Sequence, residues 1–256
     1  MAALEEQTAE SRIDRAPRAG DVGTYNQFWF DRGTKVIETK RTSLIVDPED
    51  GKLPPLTAEG QKRVQARRGG TRNFDGPEEI SVVTRCLTRG LPNAMLPGPY
   101  NNNFHILQTP GYVVILSEMF NDARFIPLDG RAHVSQNIRQ WMGDSRGHWE
   151  GNTLVVDVTN FPDYDVTGFG VPYAGSETSH LHLVERFTRV DADTVNYQFT
   201  VDDPSTFIRP WTAAIPMART EGPIFEYAYH EGNYAMAGIL AGARAAEKAE
   251  EAAKKQ

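Results

Sequence analysis

The chain has 256 residues, 39% of them hydrophobic, enough for one large domain, or a domain with appendages, around a substantial core. Its 34 acidic residues outnumber 27 basic ones, for a net charge of -7, and no Lys/Arg cluster alternates with aromatics, which argues against a nucleic-acid partner. The single cysteine, Cys86, excludes an internal disulfide and any multi-cysteine metal site, and reads as a small buried side chain.

In chain order, residues 1–22 are polar and lack the basic start and apolar run of an export signal. Residues 23–103 read as an extension with loops that pack on a later core. Within it, "TYNQFWFDRGTKV" is an aromatic strand or anchoring segment. "SLIVDPEDGKLPPLTAEGQKRVQARR" predicts a strand, an Asp-Pro turn and a short helix capped by Thr57. The Pro-, Gly- and Asn-rich stretch ending in "GPYNNNF" belongs on a surface or at a mouth.

From residue 104 to 232 the signals are short, β-branched or aromatic runs bounded by turns: "FHILQTP", "GYVVILSEMF", "ARFIPLDG", "GHWEGNTLVVDVTNF", "HLHLVERFTRV", "DTVNYQFTVDD" and "FIRPWTAAIPM". Asp191–Asp193 and Glu150-Gly151-Asn152 are hairpin turns. Successive hairpins predict an all-β antiparallel meander that closes or curls to protect its edges, as a β-barrel or a strongly curved sheet. Residues 233–256 form an alanine-rich helix whose apolar start should dock. No stretch approaches the roughly 18 apolar residues of a membrane span, so the protein reads as cytoplasmic, or periplasmic if a leader has been removed.

Strand alternation shows where polar groups are forced onto apolar faces. Glu118 shares one with Tyr112, Val114, Leu116 and Phe120; it is either a working carboxylate or the salt-bridge partner of Arg124. His180 and His182 lie on one strand face and Leu181, Leu183, Glu185 and Phe187 on the other, so the imidazoles face either a cavity or water. Tyr227 and Tyr229, near His230 and Glu231, offer an amphipathic surface for an aromatic ligand, or ordinary packing. Asn102 and Asn103 are turn residues by default, or amides that orient substrate hydroxyls.

Two chemistries follow. In the favoured one, no cofactor is used: His182 and His230 carry protons, Glu118 and Glu231 are their acidic partners, and tyrosines and asparagines hold developing charge. In the weaker one, His180 and His182 hold a metal with His230 or Glu231. There is no Gly-x-Ser-x-Gly elbow, P-loop or dinucleotide fingerprint. Asp144, Arg146 and His148 read as a polar turn.

The motifs "QTPGYVVILSEM", "DARFIPLDGR", "QWMGDSRGHWEGNTLVVDVTNF", "LHLVERFTRVDADT" and "YHEGNYAMAGILAGAR" resemble those of a large, mostly uncharacterised bacterial family across residues 24–245. The resemblance implies a ligand-enclosing, lipocalin-type barrel. The chain is similar also to the sphingomonad γ-formaldehyde lyases of lignin-derived phenylcoumaran dimers. That likeness implies loss of a hydroxymethyl group as formaldehyde and opening of the coumaran ring to a stilbene, without a redox cofactor. Tyr100, Trp141, Tyr227 and Tyr229 are compatible with such a substrate, with Asn102, Asn103 and His180 as further contacts. The expected partner is a small aromatic or apolar molecule, neither nucleic acid nor membrane, and self-association is left open. The whole mechanism assumes that His182 looks into a cavity shared with the tyrosine segment.

Overall fold

A computed structural model describes residues 39–69, 74–163, 179–228 and 230–254. Nine strands and two longer helices follow in order: β1 (Ile45–Asp47), α1 (Ala58–Gly69), β2 (Phe104–Gln108), β3 (Tyr112–Ser117), β4 (Ala123–Pro127), β5 (Asp144–Glu150), β6 (Thr153–Thr159), β7 (His182–Arg189), β8 (Thr194–Asp202), β9 (Trp211–Ala218) and α2 (Tyr234–Ala253). Among the described residues the fold is mostly β and these nine strands pair only antiparallel. No helix among the described residues is long and apolar enough to cross a membrane.

Local signals place the turns. Gly151, at φ 60°, and Asn152 join β5 to β6, with Glu150 opposite Thr153. The β7–β8 turn closes where the Val190 N–H donates to the Thr194 carbonyl. Thr57 caps α1, its hydroxyl accepting from the Gly60 N–H at 3.0 Å.

Among the described residues the strands form two sheets, and no closed barrel is found. One runs β1-β9-β8-β7-β6-β5, the other β2-β3-β4. Alternation fills the space between them. Leu154, Val156 and Val158 of β6, Leu183 and Phe187 of β7, and Tyr197, Phe199 and Val201 of β8 face Val113 and Ile115 of β3 and Ile126 of β4. Aromatic rings run across this core, Phe187 to Tyr197 at 4.8 Å and Phe199 to Trp211 at 5.6 Å between centroids. Both faces of β3 are apolar, and burial selects Val113, Ile115 and Ser117 for the inside.

Beside β5, β4 packs without a ladder. Gly147 of β5 makes this possible, since a Cβ there would lie 2.6 Å from Ile126 Cγ2 and 2.9 Å from Leu128 Cδ2. At the other side of the sandwich the gap between β9 and β2 stays open, and the backbone shows why. The Ala214 N–H donates to the Leu44 carbonyl. By antiparallel alternation the next residue of β9 facing that edge is Pro216, which has no N–H to extend the ladder. At the two ends of β2, the Asn103 carbonyl accepts from the Glu118 N–H and the Thr109 N–H donates to the Tyr112 carbonyl. The same alternation turns the backbone groups of Phe104, Ile106 and Gln108 toward the gap.

A second, smaller core joins Val82, Val83, Cys86 and Tyr100 to Met119 and Phe120, with Tyr227 packed against it. Helix α2 lies on the surface: none of its residues is fully buried and Tyr234 is 84% exposed, while Met236, Ile239 and Leu240 of its apolar start are half-buried. Polar contacts hold it as well. Asn233 caps it and donates to the Thr84 carbonyl, and Arg244 donates to the Phe74 carbonyl at 3.0 Å.

Candidate functional site

The open gap leads into the molecule. A cavity of about 500 Å³ lies between Leu96, Asn102, Asn103, Phe104 and Ile106 on one side and Thr194, Val195, Ile215 and Met217 on the other. A second, of about 330 Å³, continues inward between Ile106, Val113, Ile115, Trp149, Leu154 and Phe187. Ile106, Arg189 and Val195 border both, so the two form one cleft. Its surfaces are mainly apolar, with Asn102 and Asn103 of the segment before β2 at one side and charged residues of the β7–β8 turn at its rim. Volumes of this order suit a small organic molecule.

Asn102 and Asn103 play different parts there. Asn102 closes its own turn, accepting from the Gly98 N–H at 2.6 Å and donating to the Gly98 carbonyl at 3.0 Å. Asn103 donates through Nδ2 to Glu118 Oε2 at 2.6 Å. The Glu118 carboxylate is 1% exposed and accepts also from the Phe225 N–H at 3.0 Å. Glu118 therefore stands one hydrogen bond behind the cavity lining, and the salt bridge to Arg124 weighed from the sequence is not formed.

Arg124 turns to a different carboxylate. Its guanidinium makes a two-pronged contact with Glu185, donating to Oε1 at 3.0 Å and also to Oε2, while its Nε donates to Ser145 Oγ at 2.9 Å. The Tyr197 hydroxyl donates to Glu185 Oε1 at 2.8 Å. Burial, then the negative Glu185, push the Tyr197 hydroxyl well above its ordinary range, which keeps it a donor. The group ties β4 of one sheet to β5, β7 and β8 of the other.

His182 corrects the central assumption of the sequence reading. Leu181, Leu183, Glu185 and Phe187 point into the core, so His182 lies on the outer face of β7, its side chain 43% exposed and outside the cleft. There its Nε2 donates to Asp157 Oδ2 at 2.7 Å, and His133 Nε2 contacts Asp157 Oδ1 at 2.8 Å. His133 Nδ1 meets Asp144 Oδ2 at 2.9 Å. Asp157 is held below the usual carboxylate range by the His182 hydrogen bond, with burial opposing and His133 assisting. His182 is raised above its ordinary value, first by the Asp157 hydrogen bond and further by the charges of Asp157 and Asp202, with burial opposing. Such an imidazole holds its proton more firmly.

The same acids fasten the segment between β4 and β5. The Val134 N–H donates to Asp144 Oδ2, Arg146 Nε donates to the Ala132 carbonyl, and the Asn160 amide donates to the carbonyls of Val134, Ser135 and Ile138. Asp144, Arg146 and His148 thus belong to β5 and not to a polar turn.

The other sequence candidates scatter. His180, His230 and Glu231 are exposed. Trp141 is 42% exposed in the segment before β5. Tyr100 and Tyr227 meet edge to face at 5.6 Å in the smaller core, away from the cleft. Tyr229 lies outside the described residues. Among the described residues no three His, Cys, Asp or Glu side chains gather in a way that could hold a metal ion, so His180 and His182 are not brought a third ligand. Reading by residue type passed over Asp157, His133, Trp149 and Arg189. Asp157 carried a signal, as an acid interrupting "TLVVDVT"; His133 carried none.

No protein-family model, curated protein or solved structure matches the chain.

Proposed function

We propose that the chain binds a small, mainly apolar molecule in the cleft between its sheets, which act as an open-sided, lipocalin-like container. The supporting observation is the cleft itself: it begins at the unzipped β2–β9 edge and continues as an apolar cavity beneath Trp149 and Phe187. Pro216 and the brevity of β1 keep that edge open, so access requires no rearrangement of the ladders. The test is fluorescence titration with N-phenyl-1-naphthylamine, comparing the parent with Ile106→Trp, which fills the junction of the two cavities from a position already 37% exposed. Saturable binding by the parent, weakened at least tenfold in the variant at unchanged melting temperature, supports the reading. Equal affinities refute it.

Glu118 favours a second reading. A fully buried carboxylate one hydrogen bond from a cavity is placed where acid–base chemistry would need a polar anchor. On this reading the protein is a cofactor-independent lyase acting on a lignin-derived aromatic dimer, as its likeness to γ-formaldehyde lyases implies. Incubation with a phenylcoumaran dimer tests it. Formaldehyde and a stilbene appearing together would support it, and recovery of the intact dimer rules it out.

A further inference from the structure

We propose that Arg189 is the specificity residue of the cleft and that the molecule it selects is a carboxylate: an aromatic or aliphatic acid whose body fills the inner cavity while its anionic end meets the guanidinium. The inference rests on the binding reading above and names the ligand class.

Strand alternation carries Arg189 to the cleft side of the sheet. On β7, Leu183, Glu185 and Phe187 point into the core. Arg189 continues that face, paired in register with Val195 of β8, which packs on the same core. The strand ends there, so the side chain leaves the core where the cleft opens, and it borders both cavities. Its main chain is tied down. Asn152 of the β5–β6 turn donates through Nδ2 to the Arg189 carbonyl at 2.9 Å, and the Arg189 N–H donates to the Asn152 carbonyl.

The guanidinium is held without being neutralised. Nε donates to the Asp191 carbonyl at 3.0 Å and Nη2 to the Ala192 carbonyl at 3.3 Å. Both residues border the outer cavity, so the charged end stands where the two cavities meet. Backbone carbonyls orient the cation and leave its charge intact. Among the described residues the N–H pair on Nη1 has no acceptor, so it is left for a ligand. The nearby acids are engaged elsewhere. Asp191 accepts from the Asp193 N–H at 2.8 Å, and that bond does more than the Arg189 charge to hold its carboxyl below the usual range. Asp193 pairs with Arg219 at 3.7 Å.

The inner cavity supplies the other half of the match. Val113, Ile115, Leu154, Phe187 and Trp149 line it, and Arg189 is the one charged side chain among the described residues that do. An apolar chamber ending at a single cation fits a ligand with an apolar body and one negative charge. The planar guanidinium offers parallel N–H groups to the two oxygens of a carboxylate, a match that a neutral amide lacks. The net charge of -7 sets a field that opposes anions at large, so a preference for one must come from a local cation.

The experiment measures the dissociation constants of 2-naphthoate and 2-naphthamide, close in shape and different in charge, at neutral pH and low salt. It compares the full chain with Arg189→Gln and Arg186→Gln. Arg186 lies on the same strand but on its outer face, where it donates to Glu150, so its loss changes the net charge equally outside the cleft. The parent and Arg186→Gln should bind the acid about tenfold more tightly than the amide, as one charge-assisted hydrogen bond allows. Arg189→Gln should bring the ratio to about one while holding affinity for the amide within about twofold. A ratio that survives Arg189→Gln, or that falls equally in Arg186→Gln, overturns the inference. Equal affinities in the parent overturn it without any variant having to fold, and saturable binding of N-phenyl-1-naphthylamine by the same protein then leaves the binding reading standing. A parent that binds none of the three probes loses that reading and this inference together.

Discussion

Removing one charge from the buried group between the sheets should be among the costliest single changes in this protein. Arg124 and Glu185 have side chains 5% and 0% exposed, and Glu185 accepts from both Arg124 and Tyr197. Arg124→Met keeps length and removes charge, leaving a carboxylate in the core with only the tyrosine hydroxyl. Breaking a buried pair in this way costs about 3–5 kcal/mol. For a chain of this size that corresponds to a fall in melting temperature of about 6–20 °C. Glu185→Leu should cost as much, because it strands the guanidinium and the Tyr197 hydroxyl together. Replacing all three, as Arg124→Met/Glu185→Leu/Tyr197→Phe, removes the two charges and the phenol at once and leaves only the Ser145 hydroxyl short of a donor. An apolar substitute for a buried ion pair is often neutral or better, so the triple variant should lie within about 2 kcal/mol of the parent. Urea unfolding followed by fluorescence and circular dichroism measures all four proteins, with coincident transitions required. Single variants losing less than about 1 kcal/mol, or a triple variant as unstable as the sum of its parts, would refute the claim that these residues act as one desolvated unit.

Three further outcomes are expected. The His182–Asp157 contact should stabilise only within a pH window. The raised His182 contributes fully below its unfolded value of 6.5 and loses that contribution as pH rises through its folded value. The lowered Asp157 contributes above 3.8 and loses it as pH falls through its folded value. The stability gap between the parent and His182→Ala should therefore peak near pH 5–6, reach no more than about 1 kcal/mol for so exposed a pair, and shrink by pH 9; a flat profile contradicts this. Asn160→Ala removes one amide from three carbonyls at a position with φ 64°, so it should cost about 2–3 kcal/mol. Hydrogen exchange should quicken across residues 132–140 in that variant, and unchanged protection there would count against the fastening role. Gly147→Val places atoms where Ile126 and Leu128 pack, and should lower stability by about 1–3 kcal/mol in thermal melts, whereas Gly151→Asn, in an open turn, should cost under about 1 kcal/mol.

Local rules placed the strands, because their signals are contained within a few residues. Period-two alternation marked β6, β7 and β8, and Gly151-Asn152 and Asp191–Asp193 marked their turns. Thr57 announced its cap in the same way, from a hydroxyl three residues ahead of the amide it accepts from. Partnerships were less legible because they are set by distance across the core. Arg124 lies nearer in sequence to Glu118 than to Glu185, yet the sheets bring it to the carboxylate 61 residues away. Glu118 is reached by Asn103 and by a backbone N–H 107 residues on, and neither spacing is periodic.

What the chain order alone determined, then, is a run of antiparallel hairpins with a helix after it, since strand period and turn chemistry are properties of neighbours. Only the tertiary structure decided which face of β3 and β7 is buried, and hence that His182 faces outward, and only it brought Asn103 to the buried Glu118. Those choices depend on how two sheets share one apolar core and where their edges fail to zip, and Pro216 expresses that failure only once β9 has Leu44 on one side and an open gap beyond it.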